Sequence, residues 1–319
     1  MTEIAIAHHH DPVKLDAFIK RAQTIKPVVC AVAHPCDETS LAAAAEAAKL
    51  GLLTPILVGP KAKIASVAAA HGIDIDGLEL VDTAHSHASA AKACELVRAG
   101  KAALLMKGSL HTDELMHEVV HATTGLRTAR RLSHIFVMDV PTYEESLFIT
   151  DAAINIAPDL LCKADIVQNA IDLHRALGLG TPRVAILSAV EQVNPKIPST
   201  IEAAALCKMA ERGQITGGVL DGPLAMDNAI SPKAAEMKGL NSPVAGRAQI
   251  LVVPDLEAGN MLAKNLTFLT GAQGAGVVLG ARVPIILTSR ADTKQSRLAS
   301  CALAALYVDH QSATPAAIA

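Results

Sequence analysis

The sequence has almost no aromatic residues. Its 319 residues include four phenylalanines, two tyrosines and no tryptophan, whereas 51% of the residues are hydrophobic. The core must therefore be built from aliphatic side chains and alanine. This much apolar surface excludes an intrinsically disordered chain, because its burial offsets the conformational entropy lost on folding. At roughly 150 residues per domain, the length predicts about two domains.

Long uninterrupted apolar runs are also missing, although the mean hydropathy is +0.34. A membrane-spanning helix needs about 20 consecutive apolar residues. The longest candidates, at 274–287 and 41–58, are interrupted by Arg282 and by Glu46. Residues 1–12 lack the basic and apolar regions of a signal peptide. We therefore predict a cytoplasmic protein with no membrane partner.

The sequence lacks both an excess of basic charge and a paired-cysteine motif. The formal net charge is −3 and the isoelectric point is near 6.5. Nucleic-acid binding requires a basic stripe or an aromatic platform, so we exclude a nucleic-acid partner. No CxxC spacing occurs, which predicts buried free thiols rather than disulfides or a metal site. The six cysteines are Cys30, Cys36, Cys94, Cys162, Cys207 and Cys301.

What the sequence does contain is an alternation of short aliphatic runs and longer helical patterns. The runs predict strands at 28–33, 55–58, 78–81, 102–106, 135–140, 147–150, 184–187, 218–220, 250–253 and 284–287. The helical patterns are at 13–25, 41–50, 64–71, 86–99, 113–121, 158–177, 201–211, 261–269 and 294–308. Buried strands alternating with helices indicate an α/β sheet covered on both faces. Residues 133–151 break this rhythm and predict a hairpin.

Three polar motifs each follow a predicted strand. They are KGSLHT at 107–112, PDLEAGN at 254–260 and TSRAD at 288–292. Ligands of open α/β sheets bind beyond the carboxyl ends of strands, and helix N-termini attract anions. The guanidinium of Arg290 adds N–H donors that can bind phosphate or carboxylate through two parallel hydrogen bonds. Each motif also has a purely structural interpretation, as the capped or acidic start of a helix.

Two further patterns predict no cofactor or metal. The glycines at 271–276 do not follow a first strand, so we interpret them as a close backbone turn rather than a dinucleotide site. His111, His117 and His121 fall at rough helical spacing, but no nearby cysteine or glutamate set completes a metal site.

The motifs together resemble the phosphate acetyltransferase and phosphate butyryltransferase family. The resemblance rests on KGSLHT, PDLEAGN, VMDVP at 137–141, DGPLAMD at 221–227 and Ser289-Arg290, in family order. GLRT at 125–128 is closer to the butyryltransferase-like branch. The resemblance implies reversible transfer of an acetyl, propionyl or butyryl group between CoA and inorganic phosphate. It implies no bound cofactor and no metal, with CoA, acyl-CoA and phosphate as substrates.

The resemblance also implies an architecture. Two three-layer α/β/α domains, similar to those of isocitrate and isopropylmalate dehydrogenases, would flank a cleft. Residues 1–138 plus 280–319 would form the first domain, and 139–279 would form an inserted second domain. The chain is expected to form a homodimer.

The catalytic residues that the resemblance implies are Ser289, Arg290 and Asp292. Ser289 would stabilise negative charge on the thioester oxygen. Arg290 and Lys107 would bind phosphate. Ser296 stands where acetyltransferases carry an aspartate assigned as the general base, so Asp292 is the expected substitute.

Further substrate-binding residues are expected on the same grounds. A family arginine aligns with His117, so Arg127 or Arg130 would bind phosphate instead. Substrate contacts are also expected from Gly108, Ser109, His111, Thr112, Asp255, Glu257, Gly259 and Asn260. With so few aromatic side chains, CoA binding should depend on phosphate contacts and should weaken with salt.

Two alternatives stay open. A decarboxylating dehydrogenase-like enzyme would need a metal-binding aspartate cluster and a nucleotide loop, and we find neither in the sequence. A catalytically silent regulatory or oligomerisation domain is favoured by Ser296 at the base position. Retention of PDLEAGN and Ser289-Arg290 argues against that alternative.

Overall fold

The computed structural model describes residues 13–288 and 292–313. Within them the chain forms one eleven-stranded mixed sheet flanked by helices. The strands are β1 (Val28–Ala33), β2 (Leu53–Gly59), β3 (Glu79–Asp82), β4 (Leu104–Lys107), β5 (Ser133–Asp139), β6 (Leu147–Thr150), β7 (Arg183–Leu187), β8 (Val219–Leu224), β9 (Ile250–Val252), β10 (Gln273–Leu279) and β11 (Ile285–Ile286). The helices are α1 (Val13–Ala22), α2 (Glu38–Lys49), α3 (Lys61–His71), α4 (Ser86–Arg98), α5 (Thr112–Val120), α6 (Leu160–Ala176), α7 (Pro198–Glu211), α8 (Met226–Ile230), α9 (Pro232–Met237), α10 (Leu256–Thr270) and α11 (Lys294–Ala313).

The sheet contains two parallel blocks that run in opposite directions. Its order is β3-β2-β1-β4-β11-β10-β5-β6-β9-β7-β8. The first five strands are parallel to one another, and so are the last four. Between the blocks, β10 and β5 pair antiparallel along their whole length. The predicted hairpin is confirmed, because β5 and β6 are antiparallel neighbours.

The two faces of the β5–β10 pair have different environments. Ile135 and Val137 of β5 lie in the hydrophobic core with Ala275 and Val277 of β10. Helix α11 packs over β10 on this face and also contacts α1, α2 and α6. Because successive strand residues point to opposite faces, residues 134, 136 and 138 project from the other face. This second face of β5 and β10, which α11 does not cover, forms one side of the functional site.

The structure of residues 271–276 differs from the close backbone turn that the sequence predicts there. The close-turn prediction is wrong, because Gly271 ends α10 in a left-handed conformation and β10 begins at Gln273. Gly276 leaves room for a neighbour, since an added Cβ would lie 2.7 Å from Nε2 of His134. Helices α8 and α9 were not predicted, and α10 begins five residues earlier than 261.

The cysteine prediction agrees with the structure. All six thiols are free, five are buried, and Cys207 is half-buried. Among the described residues, no helix combines the length and apolarity that crossing a bilayer requires.

Candidate active site

A cleft of about 850 Å³ borders the face of β5 and β10 that α11 does not cover. Segments from five parts of the chain meet in it: the ends of β4 and β11, the loop after β6, helix α10 and the start of α11. Its walls include Lys107, Leu110, His111, Thr112, His134, Phe136, Met138, Asn260, Lys264, Gln273, Gly274, Thr288, Asp292, Thr293 and Ser296. The three predicted polar motifs therefore contribute to one cavity.

The first residue and the last three residues of the KGSLHT motif line the cleft. Lys107 closes β4, and its Nζ donates to the carbonyls of Gly108 and Leu110, each at 3.2 Å. His111 and Thr112, at the start of α5, line the cleft as well. The motif thus brings an ammonium group and a helix N-terminus to the same cavity, which suits an anionic ligand.

The middle of KGSLHT is bonded to β1 instead. The N–H of Gly108 donates to the Ala33 carbonyl at 2.8 Å, and that of Ser109 to the His34 carbonyl at 2.9 Å. A Cβ on Gly108 would lie 2.4 Å from the Ala33 oxygen. Both N–H groups are therefore bonded within the protein, although substrate contacts are expected from Gly108 and Ser109. Glycine here permits a close backbone approach.

PDLEAGN combines helix capping with one cleft residue. Oδ1 of Asp255 accepts from the N–H of Ala258 at 2.9 Å and caps α10. Gly259 is buried where a Cβ would lie 2.9 Å from the Asp151 carbonyl. Asn260 lines the cleft, and its Nδ2 donates to the Ala152 carbonyl at 3.4 Å. Glu257 is exposed and does not line the cleft.

The loop that supports Asn260 is organised by a buried carboxylate. Asp151 is 2% exposed. Its Oδ1 accepts from the backbone N–H groups of His134, Ala153 and Ile154 at 2.9–3.2 Å. Its Oδ2 accepts from the backbone and side chain of Asn155. Sequence reasoning missed this residue, which ties β5 to the loop after β6.

The start of α11 contributes the third motif. Oγ1 of Thr293 accepts from the N–H of Ser296 at 3.1 Å, so Thr293 caps the helix. Asp292 is half-buried in the cleft wall, and its backbone carbonyl accepts from Arg297 at 3.2 Å. Ser289 and Arg290 lie outside the described residues, although their neighbours Thr288 and Asp292 both line the cleft.

His134 is the most unusual group in the cleft wall. It is 2% exposed, and its Nδ1 has no hydrogen-bond partner among the described residues. Burial lowers its pKa from 6.5 to about 4, a shift that the nearby Asp151 carboxylate opposes. The imidazole is therefore neutral near pH 7. Its ring packs edge-on against Phe136 with centroids 4.3 Å apart.

Comparisons with known proteins decide the family. A family model described as phosphate acetyl/butaryl transferase matches residues 83–305. A phosphate acetyltransferase from Rhizobium meliloti is 70% identical over 306 residues, covering 96% of this chain and 97% of that protein. The chain belongs to the phosphate acetyl/butyryl transferase family. A phosphate butyryltransferase from Clostridium acetobutylicum is 43% identical over 291 residues, covering 91% of this chain and 96% of that one.

Solved structures show the same fold. A branched-chain phosphotransacylase from Enterococcus faecalis V583 aligns with a TM-score of 0.77 and 31% identity, covering 88% of this chain and 99% of that chain. A 4-hydroxythreonine-4-phosphate dehydrogenase from Klebsiella pneumoniae aligns with a TM-score of 0.55 at 15% identity, over 88% of this chain and 99% of that one. The latter shares the fold alone, and the predicted dehydrogenase-like α/β fold of this transferase family member is confirmed.

Two predicted phosphate ligands of this family member lie away from the cleft wall. Arg127 is exposed, and its backbone forms a bridge with Ala281. Arg130 pairs with Asp172 of α6. Neither is among the residues lining the cavity. Within the described parts of the chain, no group of three or more His, Cys, Asp or Glu residues is placed to hold a metal ion.

Sequence reasoning missed the floor of the cleft. His134, Phe136 and Met138 share one face of β5, and Lys264 of α10 adds a second described ammonium group beside Lys107. The alternation in SHIFVMD was a usable signal for two distinct faces. It could not show that the face with His134 borders a cleft, because that depends on where the helices pack.

Proposed function

We propose that this chain is a phosphate acyltransferase that moves a short acyl group reversibly between CoA and inorganic phosphate. The observation that carries the proposal is the convergence of KGSLHT, PDLEAGN, Thr288 and the start of α11 on one cleft. These segments are far apart in the chain. The comparisons above establish the family to which the chain belongs. The acyl group is acetyl, propionyl or butyryl.

The cleft offers the groups that such a transfer needs. Lys107 and Lys264 supply positive charge for phosphoryl groups. Holding phosphate and acyl-CoA in one cavity replaces a bimolecular encounter with an oriented one. A phosphate oxygen then attacks the thioester carbon, and the carbonyl oxygen carries negative charge until the C–S bond breaks. Charge of this kind is stabilised by donors already in place.

The roles of the residues after β11 are part of this proposal. Ser289 would donate to the developing oxyanion, and Arg290 would bind phosphate. Asp292 would exchange the proton of the CoA thiol. Its position in the cleft wall supports this role. Acyl phosphate and free CoA are the products in this direction.

We extend the proposal to domain organisation and assembly. The division into 1–138 plus 280–319 and 139–279 is supported by the two oppositely directed parallel blocks of the sheet. The packing of α11 against α1 and α2 fits a last segment that returns to the first domain. A cytoplasmic homodimer is the proposed state, and light scattering of the purified protein tests it.

One assay tests the proposed activity. The purified protein is mixed with acetyl-, propionyl- or butyryl-CoA and phosphate, and thiol release is followed. Release should require phosphate, which separates transfer from thioester hydrolysis. Acyl phosphate should accumulate in equal amount. A folded protein that releases no thiol with any of the three acyl-CoA substrates would falsify the proposal.

A further inference from the structure

His134 is a buried polar side chain of the cleft wall that the proposed function does not use. His134 is 2% exposed and lines the cavity, and its buried Nδ1 has no hydrogen-bond partner among the described residues. Buried polar groups in folded proteins are almost always hydrogen-bonded. Because no described residue pairs with Nδ1, Nε2 is the ring nitrogen through which a ligand in the cleft can bind this imidazole.

The position of His134 is held firmly by its surroundings. Its backbone N–H donates to Oδ1 of Asp151 at 3.2 Å, and its backbone carbonyl accepts from Oγ1 of Thr150 at 2.8 Å. The ring packs against Phe136 on one side. On the other side Gly276 makes room for it, because an added Cβ would lie 2.7 Å from Nε2. The ring is thus preorganised before any ligand arrives.

The protonation state identifies the kind of hydrogen bond. Burial lowers the pKa of His134 to about 4, so near neutral pH the ring carries one N–H. Nδ1 is enclosed without an acceptor, and an orphaned buried N–H is rarer than an orphaned acceptor. The proton therefore resides on Nε2, and the ring is a neutral donor.

The neighbours of His134 identify the ligand group. Phe136 and Met138 continue the same strand face, two and four residues along, and Leu287 also lines this region. A neutral donor on an apolar wall suits an acyl carbonyl with its short alkyl chain. The phosphate dianion is better matched by the ammonium groups of Lys107 and Lys264.

We propose that this face of β5 binds the acyl group. Nε2–H of His134 donates to the acyl carbonyl oxygen, while Phe136 and Met138 contact the acyl chain. The inference rests on the proposed acyl transfer and adds a catalytic residue and an acyl-binding wall to it.

The imidazole stays neutral throughout the acyl transfer, and every bond that forms is matched by one that breaks. A phosphate oxygen forms the new C–O bond, and the carbonyl π electrons move to the oxygen that His134 contacts. When the carbonyl re-forms, the C–S bond breaks and CoA leaves as a thiolate. The proton lost by the hydrogen phosphate ends on that thiolate. The hydrogen bond from His134 strengthens as charge develops, which is the condition for lowering the barrier.

Infrared spectroscopy of the bound substrate tests the contact directly. Acetyl-CoA labelled with carbon-13 at the carbonyl is added to the wild-type protein without phosphate, so that transfer cannot proceed. The bound carbonyl band should lie at lower wavenumber in the wild-type protein than in His134→Leu, because the hydrogen bond from His134 weakens the C=O bond in addition to any effect of Ser289. A bound carbonyl band at the same position in both proteins would overturn the inference.

Three variants extend the test. His134→Leu removes the donor and should lower kcat/KM by roughly 100- to 1,000-fold, as loss of one oxyanion donor does. His134→Gln keeps a neutral N–H donor and should recover at least about tenfold of that loss and part of the band shift. His174→Leu is the matched control, since His174 is 1% exposed and is absent from the cleft wall. It should leave the band shift unchanged.

The outcomes separate this inference from the proposed function. A protein whose bound carbonyl band depends on His134 but that transfers no acyl group contradicts the proposed function alone. An active wild-type protein with His134→Leu at wild-type kcat/KM contradicts the inference alone. If His134→Leu does not fold, His134→Phe takes its place, because it keeps an aromatic ring and lacks the N–H donor.

Discussion

Asp255 illustrates how one side chain in a functional motif stabilises local structure. Its carboxylate caps α10 through the N–H of Ala258, and α10 in turn carries Asn260 into the cleft. A residue of this kind affects activity through the position of the helix. Its charge is not needed for capping, because asparagine caps a helix as well as aspartate does.

Substitutions at Asp255 separate capping from substrate binding. Asp255→Asn keeps the capping oxygen, so stability and kcat/KM should stay near wild type. Asp255→Ala loses the cap and should lower the free energy of unfolding by about 1 kcal/mol. Thermal unfolding and acyl transfer are measured on both variants. If Asn and Ala reduce activity equally while only Ala destabilises, the carboxylate charge contacts substrate and the capping role is insufficient.

Asp292 carries the prediction for proton transfer. Asp292→Asn removes the proposed proton acceptor, and general acid–base groups contribute roughly 100- to 10,000-fold to rate. Acyl-phosphate formation should therefore slow far more than CoA binding weakens. Asp113→Asn is the control, since Asp113 is exposed in the first turn of α5. An unchanged rate in Asp292→Asn would exclude the role.

At the scale of elements, helices α6 and α7 are joined by an asymmetric ion pair. The side chain of Lys163 on α6 is 5% exposed, whereas that of its partner Glu202 on α7 is 30% exposed. Removing a partner is most costly when it leaves a buried charge unpaired. The two single substitutions should therefore have unequal effects.

Glu202→Ala should be the more damaging change. It leaves the Lys163 ammonium buried without its partner and should cost about 3–5 kcal/mol of unfolding free energy. Lys163→Met replaces the buried charge with an apolar chain of similar length and leaves a partly solvated carboxylate, so its cost should be smaller. Glu211→Ala, in the exposed pair with Lys208, should change stability by less than about 1 kcal/mol. Urea unfolding measures all three, and equal losses at positions 163 and 202 would contradict the argument.

The elements also show what the sequence could and could not predict. The motifs at the ends of β4, β9 and β11 were found because polar residues after a buried aliphatic run are a local signal. Strand β10 was missed because its glycines weaken strand propensity. Its pairing with β5 across seven residues supplies the missing stabilisation. That pairing depends on tertiary structure, and so does the placement of His134, Phe136 and Met138 in the cleft wall.

At the scale of the whole molecule, the scarcity of aromatic side chains shapes ligand binding. Among the described residues of the cleft, Phe136 and Phe268 are the aromatic residues, and Lys107 and Lys264 supply positive charge. Affinity for CoA should therefore depend on charge. The dissociation constant of CoA should rise several-fold between about 0.05 and 0.5 M salt, where the Debye length shortens to a few ångströms. Pantetheine, which lacks the phosphates, is the control. Equal salt dependence of both ligands by calorimetry would contradict the prediction.

Two buried histidines couple global stability to pH. Burial lowers the pKa of both His134 and His174 from 6.5 to about 4. The ring of His174 lies 5.1 Å from that of Phe148, and its Nδ1 lies 3.2 Å from the Gly180 carbonyl. Above pH 6.5 both histidines are largely neutral in the folded and unfolded states. Between pH 6.5 and 4 the unfolded chain binds protons that the folded chain excludes, so the free energy of unfolding falls as pH falls.

Replacing one of these histidines should flatten that dependence. His174→Phe removes a titrating group while keeping an aromatic ring against Phe148. Each histidine contributes a slope of up to about 1.4 kcal/mol per pH unit in this window. The variant should therefore lose less stability than wild type between pH 6.5 and 4.5, even if it is less stable at pH 7. Urea unfolding followed by far-UV circular dichroism measures both slopes.

His71→Phe is the control, because His71 is exposed on α3 and pairs with Glu38 at the surface. Parallel curves for His174→Phe and wild type would show that protonation of His174 is not excluded by the fold.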